Sequence, residues 1–373
     1  MIGVSVLGYG NIGSGVAQIL RENADCIKKS AGEDVTVLHV CDLREFPGDP
    51  CEAILTHDAS EAIHDPAVQI VVETMGGVHP AYEFVKDALT SGRHVATSNK
   101  ELVAACGTEL IALAREKHVN FFFEASVGGG IPVLRPLKFD LAGNRITCIR
   151  GILNGTTNYI LTAMREEKLS LEEALRSAQS KGYAEANPTD DLNGMDAARK
   201  LAILSDLAWG REVRAEEISR EGIQNVSLKD VECAARLGGK LKLICEAKLL
   251  PEGGMTAFVA PQVVMPDSML YAVDEAFNAV LITGNAVGDV MFYGTGAGSE
   301  PTASAVVGDV LDAVRHMGKR RDISWSGDPA ALSDPMAVSG RWYVRRGDVA
   351  AIAEERPAGS MGEDAACYRV LEK

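Results

Sequence analysis

The sequence lacks an excess of positive charge. Its 373 residues include 37 Lys and Arg against 52 Asp and Glu, which gives a formal net charge of −15. Nucleic acids and anionic membrane surfaces are bound by clustered cations, so this balance argues against both as partners. A small anionic ligand is still compatible with it, because a helix N-terminus and a few lysines can hold one.

Cysteine pairs with the spacing of a metal or redox site are also lacking. The chain has 8 Cys, and no two of them form a C-x-x-C motif. The chain is also far longer than the small domains that depend on disulfides. We therefore expect reduced thiols and a cytoplasmic location.

Long uniformly apolar runs are absent as well. Residues 1–20 carry no charge, but they include five glycines, an asparagine and a glutamine. A spanning helix would be more uniformly apolar, and a signal peptide would begin with basic residues. The stretch instead predicts a buried strand, a glycine turn and the start of a helix.

A single hydrophobic core rarely extends beyond ~250–300 residues, and this chain has 373. We therefore expect at least two subdomains. Predicted strands alternate with helices at first, which implies a doubly wound parallel sheet. Beyond residue 131 the alternation is less regular and predicts an α+β unit. The first set of strands is predicted at residues 2–7, 35–40, 70–73, 94–97 and 119–124, with helices at 82–89 and 102–117. The second set is predicted at residues 144–153, 241–249 and 255–261, with helices at 169–179, 195–209 and 301–317, and residues 284–293 lead into a glycine loop.

The segment Gly8-Tyr9-Gly10-Asn11-Ile12-Gly13 lies between the first predicted strand and the first helix. G-x-G-x-x-G in that context is typical of a Rossmann-type dinucleotide site, with the pyrophosphate at the helix N-terminus. Asp42, at the end of the second strand, is the candidate for the ribose hydroxyls. Nearby Arg44 could instead meet a 2′-phosphate, so the choice between NAD and NADP stays open.

A second constellation surrounds Lys200. Asp196 and Lys200 are four residues apart and therefore share one face of a helix. The residues that follow, 201–204 and 207–209, are apolar nearly all round, which indicates a buried helix. Burial of a charged side chain costs free energy unless the charge is paired, so buried charges in a protein usually have a structural or functional role. An acidic cluster can hold an ammonium group, and a partly desolvated lysine suits proton transfer. A surface ion pair is the simpler alternative.

Five motifs together resemble the homoserine dehydrogenase family. They are Gly8 to Gly13, Ser98-Asn99-Lys100, residues 124–132, residues 181–200 and residues 293–307. The resemblance runs in order from residue 1 to about residue 318. It implies interconversion of L-aspartate 4-semialdehyde and L-homoserine with a nicotinamide cofactor, in the synthesis of threonine, methionine and isoleucine. It also implies a homodimer.

The resemblance assigns a role to residues that match the family's motifs. Lys200 matches the general acid/base and Lys100 the second active-site lysine. Substrate-binding carboxylates are implied at Glu185, Asp191 and Asp196. A sodium site, built mainly from backbone carbonyls, is implied at Glu124, Val127, Gly129 and Ile131. Cofactor contacts are implied at Gly8, Tyr9, Gly10, Asn11, Ile12, Gly13, Asp42, Arg44, Thr74, Gly76, Ser98, Asn99, Lys100, Gly182, Gly296 and Gly298. One departure is Cys41, where many members have an arginine.

We expect three regions along the chain. Residues 1–130 form the dinucleotide-binding domain, and residues 131–318 the catalytic and dimerisation domain, with 295–318 packing back toward the first. Residues 319–373 are expected to be a linker and a short remnant, with strands at 341–345 and 366–371 and a short helix at 348–354. Because a regulatory ACT domain needs about 70 residues, we expect no complete ACT domain here and little inhibition by threonine.

Two alternatives remain open on the sequence alone. One is a dehydrogenase of another small amino-acid or polyol substrate on the same scaffold. The other is a nucleotide-sensing protein that has kept the fold without the chemistry. The pair Asp196 and Lys200, with Lys100, argues against a sensor, which has no need of a proton-transfer lysine.

Overall fold

A computed structural model describes residues 1–251, 253–338, 340–354 and 365–371. In chain order the helices are α1 (Asn11–Glu22), α2 (Ala24–Ala31), α3 (Ala59–His64), α4 (Ala81–Thr90), α5 (Lys100–Glu116), α6 (Gly155–Glu166), α7 (Leu171–Ser180), α8 (Thr189–Leu192), α9 (Met195–Trp209), α10 (Leu228–Arg236) and α11 (Ser299–Arg315). The strands are β1 (Ile2–Leu7), β2 (Val35–Cys41), β3 (Leu55–Thr56), β4 (Val68–Glu73), β5 (His94–Thr97), β6 (Phe121–Phe122), β7 (Ile146–Ile152), β8 (Ser219–Arg220), β9 (Lys240–Leu249), β10 (Met255–Val264), β11 (Phe277–Gly284), β12 (Gly288–Thr295), β13 (Trp342–Arg346), β14 (Val349–Ala353) and β15 (Ala365–Val370).

The first of two compact units contains a parallel sheet of six strands, in the order β3-β2-β1-β4-β5-β6. Its central strands are buried on both faces; Val4, Val6 and Val71 are fully inaccessible to solvent. Continuous β-branched runs of this kind are what a parallel sheet covered by helices requires. The strand order is that of dinucleotide-binding doubly wound folds.

This first unit is discontinuous in sequence. It comprises residues 1–141, 206–212 and 297–328. Its last helix, α11, packs against α1, β4 and β5. A Cβ atom at Gly15 of α1 would lie 3.0 Å from the Cβ of Ala303 on α11, so glycine lets the two helices approach closely. Trp325, in the segment predicted as a linker, is buried and donates a hydrogen bond to Thr108 Oγ1 at 2.9 Å.

The second unit contains a mixed sheet of nine strands. Eight of them follow the order β12-β11-β7-β9-β10-β15-β13-β14, and β8 pairs with β10. The long antiparallel pair β9 and β10 forms its centre. The strand β15 extends it by pairing in parallel with β10. The strands near the end of the chain therefore belong to the same sheet as β9.

A buried ion pair holds β13 against α10 in the second unit. Arg345 Nε donates to Asp230 Oδ1 at 2.5 Å, and both side chains are almost inaccessible to solvent. Tyr343 and Tyr368 direct their hydroxyl groups at Asp230 as well, at 3.3 and 3.4 Å. A buried charge needs its partner, so this pair ties the end of the chain to the helix.

Two sequence predictions were wrong in detail. Residues 348–354 were predicted as a helix, but Val349–Ala353 is a strand, because a turn at Gly347 returns the chain to pair with β13. The strand predicted at residues 119–124 is reduced to Phe121–Phe122, because a 3₁₀ turn begins at Glu124.

Candidate functional site

The glycine motif forms a tight turn between β1 and α1. Gly8 has a φ of 88°, in the left-handed region that favours glycine. A Cβ atom at Gly13 would lie 2.1 Å from the Gly8 carbonyl oxygen, so position 13 must also be glycine. Thr74 fixes the turn from the neighbouring strand, since its Oγ1 donates to the same carbonyl at 2.7 Å. Helix α1 begins at Asn11 and leaves its N-terminus as an anion site.

Asp42 follows β2 directly and is held from two sides. The Tyr9 backbone N–H donates to Oδ2 at 2.8 Å, and Arg44 donates through Nε to Oδ1 and through Nη2 to Oδ2, both at 2.9 Å. These hydrogen bonds from Arg44 are the main reason that the pKa of Asp42 is lowered to about 2. The carboxylate is therefore charged at neutral pH, and it already forms an ion pair with Arg44.

A cavity of about 540 Å³ opens beside this pair. Gly8, Gly10, Asp42 and Arg44 line it together with the apolar side chains of Met75 and Phe84. Mostly apolar clefts of this size with a few placed polar groups are the usual form of a ligand site. The cavity can therefore take the adenosine end of a dinucleotide.

Buried Glu73 organises the next strand end. Its carboxylate accepts hydrogen bonds from Thr97 Oγ1 at 2.5 Å and from the Met75 backbone N–H at 2.7 Å. Burial is the largest influence on this carboxyl and raises its pKa. Asn99, which donates to the Gly77 carbonyl oxygen at 2.6 Å, belongs to the same network.

Helix α5 begins at Lys100, directly after this network. The Asn99 side chain caps the helix by accepting from the Leu102 backbone N–H at 3.0 Å. Ser98 is tied to β4 because its N–H donates to the Glu73 carbonyl oxygen at 3.3 Å. Gly76 lies in the loop after β4 with a φ of 88°. The predicted residues Ser98, Asn99 and Lys100 thus follow directly after the carboxyl end of β5.

Lys200 is buried in the second unit on α9. Its ammonium group donates to Asp196 Oδ2 and to the Leu153 carbonyl oxygen, both at 2.8 Å. Asn154 Nδ2 donates to the same oxygen of Asp196 at 2.8 Å and to Asp191 Oδ1 at 2.6 Å. Asn154 also caps α6, because its side chain accepts from the Thr157 N–H. One asparagine therefore brings together three of the residues that the sequence singled out.

Glu185 and Gly182 lie in an exposed segment between α7 and α8. The Glu185 carbonyl oxygen accepts from Gln179 Nε2 at 3.1 Å, and within the described part of the chain its carboxylate makes no contact with the Lys200 cluster. Gly182 follows the end of α7 with a φ of 75°. A helix-ending conformation accounts for glycine at this position.

Glu124 lies in a buried loop and is fully engaged by its own unit. Its carboxylate accepts hydrogen bonds from the backbone N–H groups of Val133, Leu134 and Arg135 at 2.6 to 2.8 Å. Asp309 of α11 closes the arrangement, with Oδ2 accepting from the Glu124 N–H and Oδ1 from Arg135 Nη1, both at 2.8 Å. The Glu124 side chain is therefore occupied, and backbone carbonyls are what Glu124, Val127, Gly129 and Ile131 can offer a cation.

The second glycine loop follows β12. A Cβ atom at Gly296 would lie 2.1 Å from Asn278 Cγ, so only glycine fits beside this buried asparagine of β11. Gly298 has a φ of 113° and directly precedes α11. Close packing and helix entry account for both glycines, whatever they contact in addition.

Comparisons with known proteins agree over most of the chain. A family profile described as homoserine dehydrogenase, NAD binding domain, matches residues 8–124, and one described as homoserine dehydrogenase matches residues 132–311. Homoserine dehydrogenase of Bacillus subtilis is 43% identical over 320 residues, which is 85% of this chain and 73% of that protein. The chain belongs to the homoserine dehydrogenase family. The Pseudomonas aeruginosa member is 40% identical, over 89% of this chain and 77% of its own length.

Solved structures of the family share the fold. A homoserine dehydrogenase from Thiobacillus denitrificans superposes with a TM-score of 0.89 at 35% identity, covering 100% of this chain and 98% of that one. A hyperthermophilic archaeal homoserine dehydrogenase mutant in complex with NADPH gives a TM-score of 0.71 at 28% identity, covering 84% and 97%. The predicted fold class, a Rossmann-type parallel sheet followed by an α+β unit, is confirmed.

Three buried residues of the candidate site were not found from the sequence. Asn154 precedes a helix, but nothing in its spacing links it to residues 191 and 196. Glu73 and Asp309 looked like ordinary positions in an apolar strand and an apolar helix. A charged residue within an apolar run is the one available signal, since burial of a charge needs a reason.

Neither a membrane-spanning helix nor a side-chain metal cluster is found in the described residues. No described helix is long and apolar enough to cross a bilayer. No group of three or more His, Cys, Asp or Glu side chains in the described ranges could hold a metal ion. None of the eight cysteines, all of which lie in the described residues, is part of a disulfide bond.

Proposed function

We propose that this chain catalyses the reaction for which its family is named, the interconversion of L-homoserine and L-aspartate 4-semialdehyde with NAD or NADP. We further propose that it does so in the cytoplasm, toward threonine, methionine and isoleucine. The observation that carries the proposal is the buried Lys200 ammonium, held by Asp196 and the Leu153 carbonyl oxygen in a member of this family. A nucleotide sensor has no use for such a lysine.

Lys200 has the proton-transfer role in this proposal. A nicotinamide held at the glycine turn would supply the hydride chemistry, that is, transfer of a hydride from C4 of homoserine and its return to the aldehyde. During oxidation neutral Lys200, directly or through a water, accepts the hydroxyl proton, and during reduction its ammonium form gives that proton to the aldehyde oxygen. The atoms balance, because the alcohol loses one hydride and one proton to become the aldehyde.

The carboxylates near Lys200 match the charge of the substrate. Asp191 and Asp196 both present a carboxylate next to Lys200, and a carboxylate is the group that binds an α-ammonium such as that of homoserine. Asn154 holds both carboxylates by hydrogen bonds, which preorganises them. We assign Glu185 to the same ammonium group and Lys100 to the second active-site lysine on the family resemblance.

The cofactor is assigned to the glycine turn and the cavity beside it. Gly8 to Gly13 and the N-terminus of α1 suit the pyrophosphate. Asp42 suits free ribose hydroxyls, and Arg44 suits a 2′-phosphate if it leaves Asp42. We assign the remaining contacts to Thr74, Gly76, Ser98, Asn99, Gly182, Gly296 and Gly298.

A sodium ion and a homodimer complete the proposal. Hard backbone oxygens suit a hard cation, and the carbonyls of Glu124, Val127, Gly129 and Ile131 would hold it. Thermal unfolding in sodium chloride and in choline chloride of equal ionic strength tests the ion, with a higher midpoint expected in sodium. Light scattering of the purified protein tests the dimer.

The decisive experiment follows the absorbance of the reduced nicotinamide. The purified chain is given homoserine with NAD and then with NADP, and serine and glycerol serve as competing small substrates. We expect turnover with homoserine that greatly exceeds turnover with either competitor. Preference for another alcohol would favour the alternative dehydrogenase, and binding of cofactor without any turnover would favour the sensor.

A further inference from the structure

His57 lies in the wall of the cavity that holds Asp42 and Arg44. It follows the short strand β3, which pairs with β2 at the same sheet edge. The sequence offered no reason to single it out, because its spacing from other histidines suggests no metal site. Its position places a titratable ring at the end of the cavity where the two nicotinamide cofactors differ.

Both ring nitrogens of His57 face acceptors. Nδ1 lies 2.6 Å from the Asp42 carbonyl oxygen, and Nε2 lies 2.9 Å from Glu45 Oε1. A neutral imidazole has only one N–H group, so both contacts can be hydrogen bonds at the same time only when the ring is an imidazolium. The hydrogen bond to the Asp42 carbonyl is the largest cause of a raised His57 pKa, followed by that to Glu45.

Four carboxylates and one guanidinium lie around this ring, so its surroundings are negatively charged. The loop after β2 supplies Asp42, Arg44 and Glu45, and the carboxylate of Asp42 is already paired with Arg44. On the side of α3, Asp58 is occupied as the helix cap and Glu61 accepts from Thr56 Oγ1. When His57 loses its proton, Glu45 loses its partner and this end of the cavity gains one net negative charge.

We propose that His57 is a specificity-determining residue that favours the 2′-phosphorylated cofactor at low pH and weakens that preference as pH rises. This inference rests on the proposed function, because it needs a nicotinamide dinucleotide in the cavity. The ring acts through its charge, since both of its N–H groups are already used. The nicotinamide cofactor without the phosphate carries no charge at this position and is therefore insensitive to the change.

The size of the effect follows from the exposure of the ring. About half of the His57 side chain is accessible to solvent. Water screens a charge in that setting, so we expect about a two- to fivefold change in relative affinity. The 2′-phosphate also titrates, with a second pKa of ~6. Its additional negative charge strengthens its binding to Arg44 as pH rises. A neutral replacement of His57 retains the titration of the phosphate and removes that of the ring.

The test measures dissociation constants of NADP⁺ and NAD⁺ for the full chain by titration calorimetry between pH 5.5 and 8.5. The variants are His57→Gln, which is neutral, and His57→Lys, which keeps a positive charge over this range. His64→Gln is the matched control, because His64 is also about half exposed and also contacts a carboxylate, that of Asp87, but does not line the cavity.

The NADP⁺ preference is the dissociation constant of NAD⁺ divided by that of NADP⁺. We expect the preference of the unmodified chain, taken relative to that of His57→Gln at the same pH, to fall two- to fivefold from pH 5.5 to 8.5. His64→Gln should behave like the unmodified chain, and His57→Lys should hold its preference at high pH. The same pH profile in the unmodified chain and in His57→Gln would overturn the inference while leaving the proposed function intact. Failure of both cofactors to bind would overturn both.

Discussion

Asn154 Nδ2 lies 2.8 Å from Asp196 Oδ2, the same oxygen that accepts the hydrogen bond from Lys200. The carboxylate is therefore fixed from two directions, by a helix cap and by a lysine one turn along its own helix. This arrangement limits the positions that the ammonium group can take. A substitution of Lys200 should therefore have a measurable effect on turnover.

Lys200→Ala should lower turnover by roughly 10²–10⁴, the usual contribution of a positioned acid or base. The Michaelis constant for homoserine should change less, because in the proposal the carboxylates bind the ammonium group of the substrate. Lys138→Ala is the matched control, since Lys138 also donates to a backbone carbonyl, that of Ser324, and both residues belong to the first unit. Near-normal turnover in folded Lys200→Ala would mean that the proton follows another route.

Glu185→Gln should weaken homoserine binding and leave the fold intact. The side chain is exposed in the free chain, so its loss has little effect on packing. Its charge would face the substrate ammonium only when homoserine is bound. Glu172→Gln serves as the control, because Glu172 also has an exposed carboxylate and lies on α7. Equal Michaelis constants for both variants and the unmodified chain would remove Glu185 from the substrate site.

Cys41→Arg should shift preference toward NADP. Residue 41 lines the cofactor cavity directly before Asp42, and an added guanidinium there could form charge-assisted hydrogen bonds worth up to ~3 kcal/mol to a 2′-phosphate. The ratio of kcat/KM for NADP to that for NAD measures the shift. Cys26→Arg, at an exposed position on α2, controls for added charge alone. An unchanged ratio would show that residue 41 does not face the ribose.

Arg345→Met should lower the free energy of unfolding by about 3–5 kcal/mol, because it leaves the buried Asp230 carboxylate without its ionic partner. Arg346→Met is the control, since Arg346 is the exposed next residue of the same strand. Chemical denaturation measures both variants. Equal stability of the two would mean that the hydrogen bonds that Asp230 Oδ2 accepts from the N–H and Oγ of Ser227 are enough to satisfy its carboxylate.

The elements that the sequence predicted well are those whose signal is local. The strand Ile2–Leu7, the glycine turn and the helix Met195–Trp209 are each set by neighbours within a few residues. The spacing of Asp196 and Lys200 gave their shared helix face for the same reason. A local pattern is sufficient where the chemistry lies on one element.

The parts that escaped prediction depend on distant partners. Residues 349–353 form a strand because β13 lies beside them, although their alanine-rich composition favours a helix. Asn154 and Asp191 meet across 37 residues, and Glu124 and Asp309 across 185. Such contacts arise from tertiary packing, which no window of sequence contains.

The discontinuity of the first unit has a consequence for biosynthesis. Helix α11, which covers β4 and β5, is translated after most of the second unit. Domains generally fold as units while the chain emerges from the ribosome, yet this sheet must wait for residues 297–328 before one of its faces is covered. The surface of β4 and β5 that α11 covers is therefore without that cover while residues 142–296 are translated.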